Sequence, residues 1–411
     1  MDEARRNAAL TAEHAARTSY GKLLALLVTR TRDIAACEDA LAAALEAALL
    51  QWPRDGVPDN PVGWLLTVAR RNIGRAAVRA QTADRSSETL RLLDEERLAA
   101  DASPFGDRRL ELMFVCAHPA IDPEAQPALM LQTVLGLDAA RIAGSFLVSP
   151  ATMSQRLVRA KRKIRDSGIG FALPEIDDVP ARIDGVLSAI YAAYGTAWED
   201  VAGSDAKLVG LAEEAIWLAH SLTELMPDEP EVLGLLSLML HCEARRSARR
   251  TPDGAFVPLH RQDVSLWSRP MVAQAERLLR RAAHLQSPGR FQTEAAIQSL
   301  HAHQRFTGDR FAQPLVELYD ALARFAPSMG GLVARAVAHA ENGDAEAALT
   351  MLDRMHEVVT YQPWWAARAR VCWLAGDEEG AWLAARTAAG LTDDASVRQF
   401  LLSGGFADRG R

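Results

Sequence analysis

The 411-residue chain is expected to be all-α, and three observations lead there. It is rich in Ala and Leu, at 49% hydrophobic and 24% charged residues, a balance that favours helices over strands. Apolar residues recur at helical spacing, most clearly at Met153, Leu157, Ala160 and Ile164. Between 334 and 381 the sequence matches itself at an offset of 33 residues, near the period of about 34 residues of tetratricopeptide helix pairs. A chain this long has room for about two or three domains, each with its own core.

From about Thr11 to Arg79 the chain reads as helices, with "GKLLALLVTRTRD" followed by the Ala-rich "EDALAAALEAALLQW". The stretch "PRDGVPDNP" carries three prolines and is expected to end one helix. Asn60-Pro61 then starts the next, "VGWLLTVARRNIGRAAVRA", with proline at a favoured first-turn position. These elements make an N-terminal helical domain over 8–80. Residues 81–106 are polar and charged, with "DEER" and "DASPFGD", and read as an acidic linker. A second helical domain covers 107–170 and ends in the Gly-bearing "DSGIGFALPE". A helical-repeat domain is expected over 178–405. There the offset aligns Ala334 with Ala367, Ala336 with Ala369, Gly343 with Gly376, Asp344 with Asp377 and Ala348 with Ala381. Gly-Asp is expected to turn the chain between the two helices of a pair. Trp64, Trp364, Trp365, Trp373 and Trp382 are read chiefly as core residues.

Charge is divided unevenly. Residues 1–170 hold 23 Lys+Arg and 21 Asp+Glu, a net of +2, which leaves −9 for 171–411. Two such halves are expected to meet different partners. The stretch "RIAGSFLVSPATMSQRLVRAKRKIR", 141–165, holds seven basic side chains and no carboxylate, in a chain of net charge −7.

That stretch has an internal grammar. Gly136 can end one helix and Asp138 can cap a short one that stops near Val148. Ser149 caps the next, with Pro150 at its first position. The second helix places Met153, Leu157, Ala160 and Ile164 on one apolar face, able to pack on Ile142 and Phe146. The other side carries Thr152, Gln155, Arg156, Arg159 and Lys163. A helix so built fits the major groove of a duplex, where its early residues reach base edges and its cations neutralise phosphates.

The same residues resemble the region-4 helix-turn-helix of the extracytoplasmic-function (ECF) sigma factors of RNA polymerase. Ile142, Ala143, Val148, Thr152, Met153, Arg156, Leu157, Arg159 and Ala160 fill that family's pattern. "RRLELMFVCAHPAIDPEAQPALMLQTVLGL" is similar to the first helices of region 4, and "QWPRDGVPDNPVGWLLTVARRN" to region 2 of one subgroup. "LMPDEPEVLGLLSLMLHCEARRSAR" and "LHRQDVSLW" are similar to the long tetratricopeptide-like extension of that subgroup. The resemblance covers nearly the whole chain, in family order.

It implies a protein that catalyses no reaction, binds core RNA polymerase and directs it to promoter DNA, with no cofactor. Thr152, Ser154, Gln155, Arg156, Arg159, Arg162 and Lys163 would meet the −35 element. Arg70, Arg71, Asn72, Arg75 and Arg79 would meet the −10 element. Glu38 and Asp39 would dock on basic side chains of polymerase. The C-terminal domain would regulate activity, with a protein or peptide ligand. Ala42 and Ala43 stand where the family usually has Gln and an acidic residue. A second reading therefore stays open, of a sigma-derived DNA-binding regulator that no longer binds polymerase, and a third, of a scaffold whose working part is the repeat domain.

Other classes find little support in the sequence. No Gly-rich phosphate loop or clustered catalytic set is present. Cys37, Cys116, Cys242 and Cys372 form no CxxC pair and read as buried thiols of a reducing compartment. Cys116 and His118 lack the further ligands that zinc requires. With no long apolar run and no signal-peptide pattern at the start, a cytoplasmic location is expected.

Overall fold

The computed structural model describes residues 2–81, 107–146, 148–171, 173–174, 178–199, 210–356 and 358–407. Among them there are eighteen α-helices, and the sole β pairing is an isolated bridge between Arg250 and Phe256. The acidic 81–106 linker lies, apart from Gln81, outside the described residues. No helix of the described residues is long and apolar enough to cross a membrane. The chain divides into two compact units, Met1–Glu199 with Asp205–Leu218, and Ala219–Arg411 with a short stretch at Asp200–Ser204.

The first unit opens with α1 (Asp2–Thr31), α2 (Ile34–Asp55) and α3 (Pro61–Gln81). Leu23, Leu24, Leu27, Ile34, Leu41 and Leu65 fill the space between them, each at most 2% exposed. Arg32, in the left-handed region at φ 55°, reverses the chain, and the Asp33 side chain caps α2 by accepting from the Ala36 N–H at 3.1 Å. The helix α2 runs through Pro53 to Asp55, past the start of the proline-bearing stretch expected to end it. Proline is accommodated in the final turn, and Gly56 at φ 87° closes the helix by donating to the Trp52 carbonyl at 3.0 Å. Asn60 then caps α3 by accepting from the Gly63 N–H at 2.9 Å. Trp64 is partly buried, edge-on to the buried Trp52 with ring centres 5.4 Å apart.

The rest of this unit comprises α4 (Arg109–Cys116), α5 (Gln126–Thr133), α6 (Ala139–Ser145), α7 (Pro150–Asp166) and α8 (Pro180–Glu199). Sequence reasoning assigned α8 to the repeat domain, but it packs on α4 and α5. Val186, Leu187, Ala189 and Ile190 are fully buried there, and a Cβ on Gly185 would lie 2.8 Å from the Gln126 amide oxygen. The whole of α8 therefore belongs to this unit. The start of α9 (Leu211–Leu225) belongs to this unit too: Glu214 pairs with the buried Arg109, whose guanidinium lies 4.5 Å from the Trp217 ring centre.

The second unit continues α9 and adds α10 (Pro230–Glu243), α11 (Arg269–His284), α12 (Arg290–Thr307), α13 (Ala312–Phe325), α14 (Met329–Glu341), α15 (Ala345–Asp353), α16 (Gln362–Leu374), α17 (Glu378–Gly390) and α18 (Ala395–Leu402). The 33-residue offset has a direct physical origin. It superposes α14 with α16 and α15 with α17, and the aligned Ala336, Ala369, Ala348 and Ala381 are all fully buried between helices. Gly343 and Gly376 turn each pair at φ 99° and 84°, and Asp344 and Asp377 cap the following helix. The register also extends one helix earlier. Arg335 pairs with Asp320 and Arg368 with Asp353, at 2.6 and 2.5 Å, each arginine reaching a carboxylate 15 residues before it. Of the four C-terminal tryptophans Trp364 is buried, Trp365 and Trp373 are partly buried, and Trp382 is 38% exposed.

Candidate nucleic-acid interface

The basic stretch forms two short helices and a tight turn. The Asp138 carboxylate accepts from the Arg141 N–H at 2.9 Å and starts α6, which ends at Ser145. The Val148 N–H then donates to the Ala143 carbonyl at 3.1 Å. Ser149 begins α7, its hydroxyl accepting from the Thr152 N–H at 3.1 Å, with Pro150 in the first turn. Both caps stand where their short side chains can satisfy a free N–H group.

Packing sorts the faces of α7. Met153, Leu157, Ala160 and Ile164 are buried, next to buried Ile142 and Ala143 of α6. Thr152, Ser154, Gln155, Arg159, Arg162 and Lys163 are exposed. The Arg159 guanidinium donates to the Gln155 amide oxygen at 3.4 Å, along the helix. Arg156, expected among the free cations, is 30% exposed and 3.2 Å from Glu124. Since Glu124 is 72% exposed, that pair contributes only about 0–1 kcal/mol and is easily exchanged for a phosphate. The exposed face therefore presents cations and hydrogen-bonding groups with no carboxylate before Asp166.

The residues expected at the −10 element sit on α3. Arg71 and Arg75 are exposed, and Arg70 is partly buried. Asn72 differs from expectation: its side-chain amide is turned to the Ala40 carbonyl of α2, at 3.4 Å, since it lies on the flank of α3 that meets α2. Arg79 is in the last turn of α3, and its side chain lies outside the described ones. A cavity of about 250 Å³ opens beside the start of α3, lined by Leu23, Leu26, Asn60, Val62, Gly63 and Leu66 among others.

The acidic pair on α2 is split. Asp39 is exposed, while Glu38, expected on an open docking face, is drawn inward to the α7 ammonium of Lys161, at 2.5 Å. Their side chains are only 18% and 11% exposed. Burial pushes the Glu38 carboxyl above the usual range, and Lys161 offsets this only in part. The same burial raises the Cys116 thiol on α4 to about 12. One turn along α7 from Lys161, Arg165 lies 3.9 Å from Asp33, at the start of α2. Lys161 was absent from the sequence-derived site. It borders the apolar face of α7, and its partner is 123 residues away, so no local pattern marks it.

The four cysteines are free thiols, three buried and Cys242 partly so. The chain is 38% identical over 333 residues to the "Uncharacterized protein R00370" of Rhizobium meliloti (strain 1021), an overlap spanning 79% of this chain and 78% of that one. The chain belongs to the family of that protein. The DUF6596 family model, described as a family of unknown function, matches residues 182–283, from α8 to α11. No solved structure matches.

Proposed function

We propose that the protein is a sigma factor of the ECF type, which binds core RNA polymerase and recognises promoter DNA through α3 and α7, without enzymatic chemistry of its own. The observation that carries this reading is the two-faced α7. One side is sealed by Met153, Leu157, Ala160 and Ile164, and the other offers Thr152, Ser154, Gln155, Arg159, Arg162 and Lys163 to solvent. A helix held by its apolar side after a tight turn is positioned to enter a major groove with its first residues at base edges. The net −9 of residues 171–411 suits a regulatory rather than DNA-holding C-terminal part. A cytoplasmic location follows from this role.

The decisive experiment mixes purified protein with core polymerase and genomic promoter fragments and reads both association and transcript start sites. Absence of both would overturn the reading. Replacing Arg159 and Arg162 with Ala is expected to weaken duplex binding and to make the dependence of log K on log[salt] shallower by about 2, near 0.9 per lost phosphate contact.

The enclosed position of Glu38, with Ala42 and Ala43 nearby in sequence, favours a second reading, of a sigma-derived regulator that binds DNA but not polymerase. Polymerase association separates the two.

A further inference from the structure

We infer that α7 and α2 form an electrostatic latch, in which Lys161 and Arg165 hold Glu38 and Asp33, so that the DNA-reading helix occupies the acidic start of α2 until both are released together. The two rungs are built alike: Lys161 and Arg165 are one turn apart on α7, and Glu38 and Asp33 lie within the first turns of α2 or its cap. They differ in strength. Asp33 and Arg165 are 3.9 Å apart and 27% and 50% exposed, a contact that solvent screens. Lys161 and Glu38 are almost enclosed, so removal of one leaves the other as an uncompensated buried charge.

The surroundings commit the halves to each other as well. The backbone of α1 at Gly21 approaches the end of α5 so closely that a Cβ would sit 1.9 Å from the Val134 carbonyl oxygen. Lys22 of α1 lies 3.6 Å from Asp107, just before α4. The first three helices and the helix-turn-helix thus share one tightly fitted seam, and the Lys161–Glu38 pair is its most enclosed ionic contact.

A ligand opens such a latch only if it binds the open form better than the closed one. Phosphates compete for Lys161 and Arg165, and basic side chains compete for Glu38 and Asp33. Each ligand frees the residues that the other needs, so DNA and a basic protein surface reinforce each other's binding. The latch itself stands on the geometry of this seam. The identity of the basic surface as core polymerase rests on the function proposed above.

The test measures the α2–α7 separation directly, in the full chain. Paramagnetic labels go on Glu46→Cys of α2 and Ser167→Cys at the end of α7, both exposed, with Cys242→Ser and the three buried thiols left in place. In the otherwise unaltered chain a single, narrowly distributed distance is expected. Lys161→Glu should lengthen it by roughly one helix diameter, ~10 Å, and Lys161→Glu with Glu38→Lys should restore it. Glu38→Gln, which removes charge without adding a repulsion, covers the case in which Lys161→Glu fails to fold, and should give a mixture of the original and lengthened distances. An unchanged distance in a variant of unchanged helix content overturns the latch. Core polymerase added to Lys161→Glu should be captured several-fold more than by the unaltered chain, because the closed fraction no longer reduces apparent affinity. Lengthening with no polymerase capture in any form would uphold the latch and overturn the polymerase reading alone.

Discussion

Gly21 is the side chain whose smallness the first unit depends on most directly. Its Cα faces the Val134 backbone, and the 1.9 Å that a methyl group would leave requires the backbone of α1 or α5 to move. Flexible neighbours cannot absorb this, because the clashing atom is a carbonyl oxygen. Gly21→Ala is expected to destabilise the first unit by about 1–3 kcal/mol, as overpacking commonly does, despite the gain in helix propensity. Denaturant unfolding followed by circular dichroism checks this; an unchanged or raised midpoint contradicts it. The same position illustrates how little of a close approach is written locally. "SYGKLL" reads as ordinary amphipathic helix, and nothing in it names Val134.

Among the elements, α12 shows how one helix starts another. Its first N–H groups have no partner within the helix, and the Glu231 carboxylate from the start of α10 accepts from those of Phe291 and Gln292 at 2.8 and 3.0 Å. A negative charge there also complements the helix dipole. Close by, Gly234 of α10 lies under the same segment, where a Cβ would be 2.5 Å from the Gln292 nitrogen. Glu231→Ala should cost about 1–2 kcal/mol, the range for losing a side-chain cap, and should speed amide exchange at Phe291 and Gln292. Exchange rates equal to those of the unaltered chain would show that the cap is unimportant. By contrast, the caps of α6, α7, α15 and α17 come from the residue just before each helix, Asp138, Ser149, Asp344 and Asp377. Those are legible in a sequence; a cap supplied 60 residues away is not.

For the chain as an assembly of units, the position of α8 has a practical consequence. Val186, Leu187 and Ile190 are fully buried against the helix-turn-helix side of the molecule. A fragment ending at 170, where the sequence predicts a domain end, uncovers the α4 and α5 surface that these side chains seal. A fragment ending at 218, which also retains the Glu214 and Trp217 partners of Arg109, keeps it covered. The longer fragment is expected to be monomeric with a cooperative thermal transition, and the shorter one to associate or melt at lower temperature. Light scattering with a thermal melt compares them, and equal behaviour would show α8 to be dispensable there.

Helical character, the turns at Gly343 and Gly376, the caps of α6 and α7, and the buried and exposed faces of α7 all follow from neighbours within a few residues. Periodicity, capping chemistry and glycine's conformational freedom act over one or two turns of chain, so those features could be read directly. The attachment of α8 to α4 and α5, the inward turn of Asn72 to Ala40, the cap on α12 and the pairing of Glu38 with Lys161 depend on groups far apart in the sequence. A carboxylate beside an exposed aspartate looks like a surface charge until packing brings an ammonium to it. Which of two adjacent acids faces solvent and which is enclosed was settled by how α2 meets α7, since desolvation is a property of the surroundings and not of the side chain.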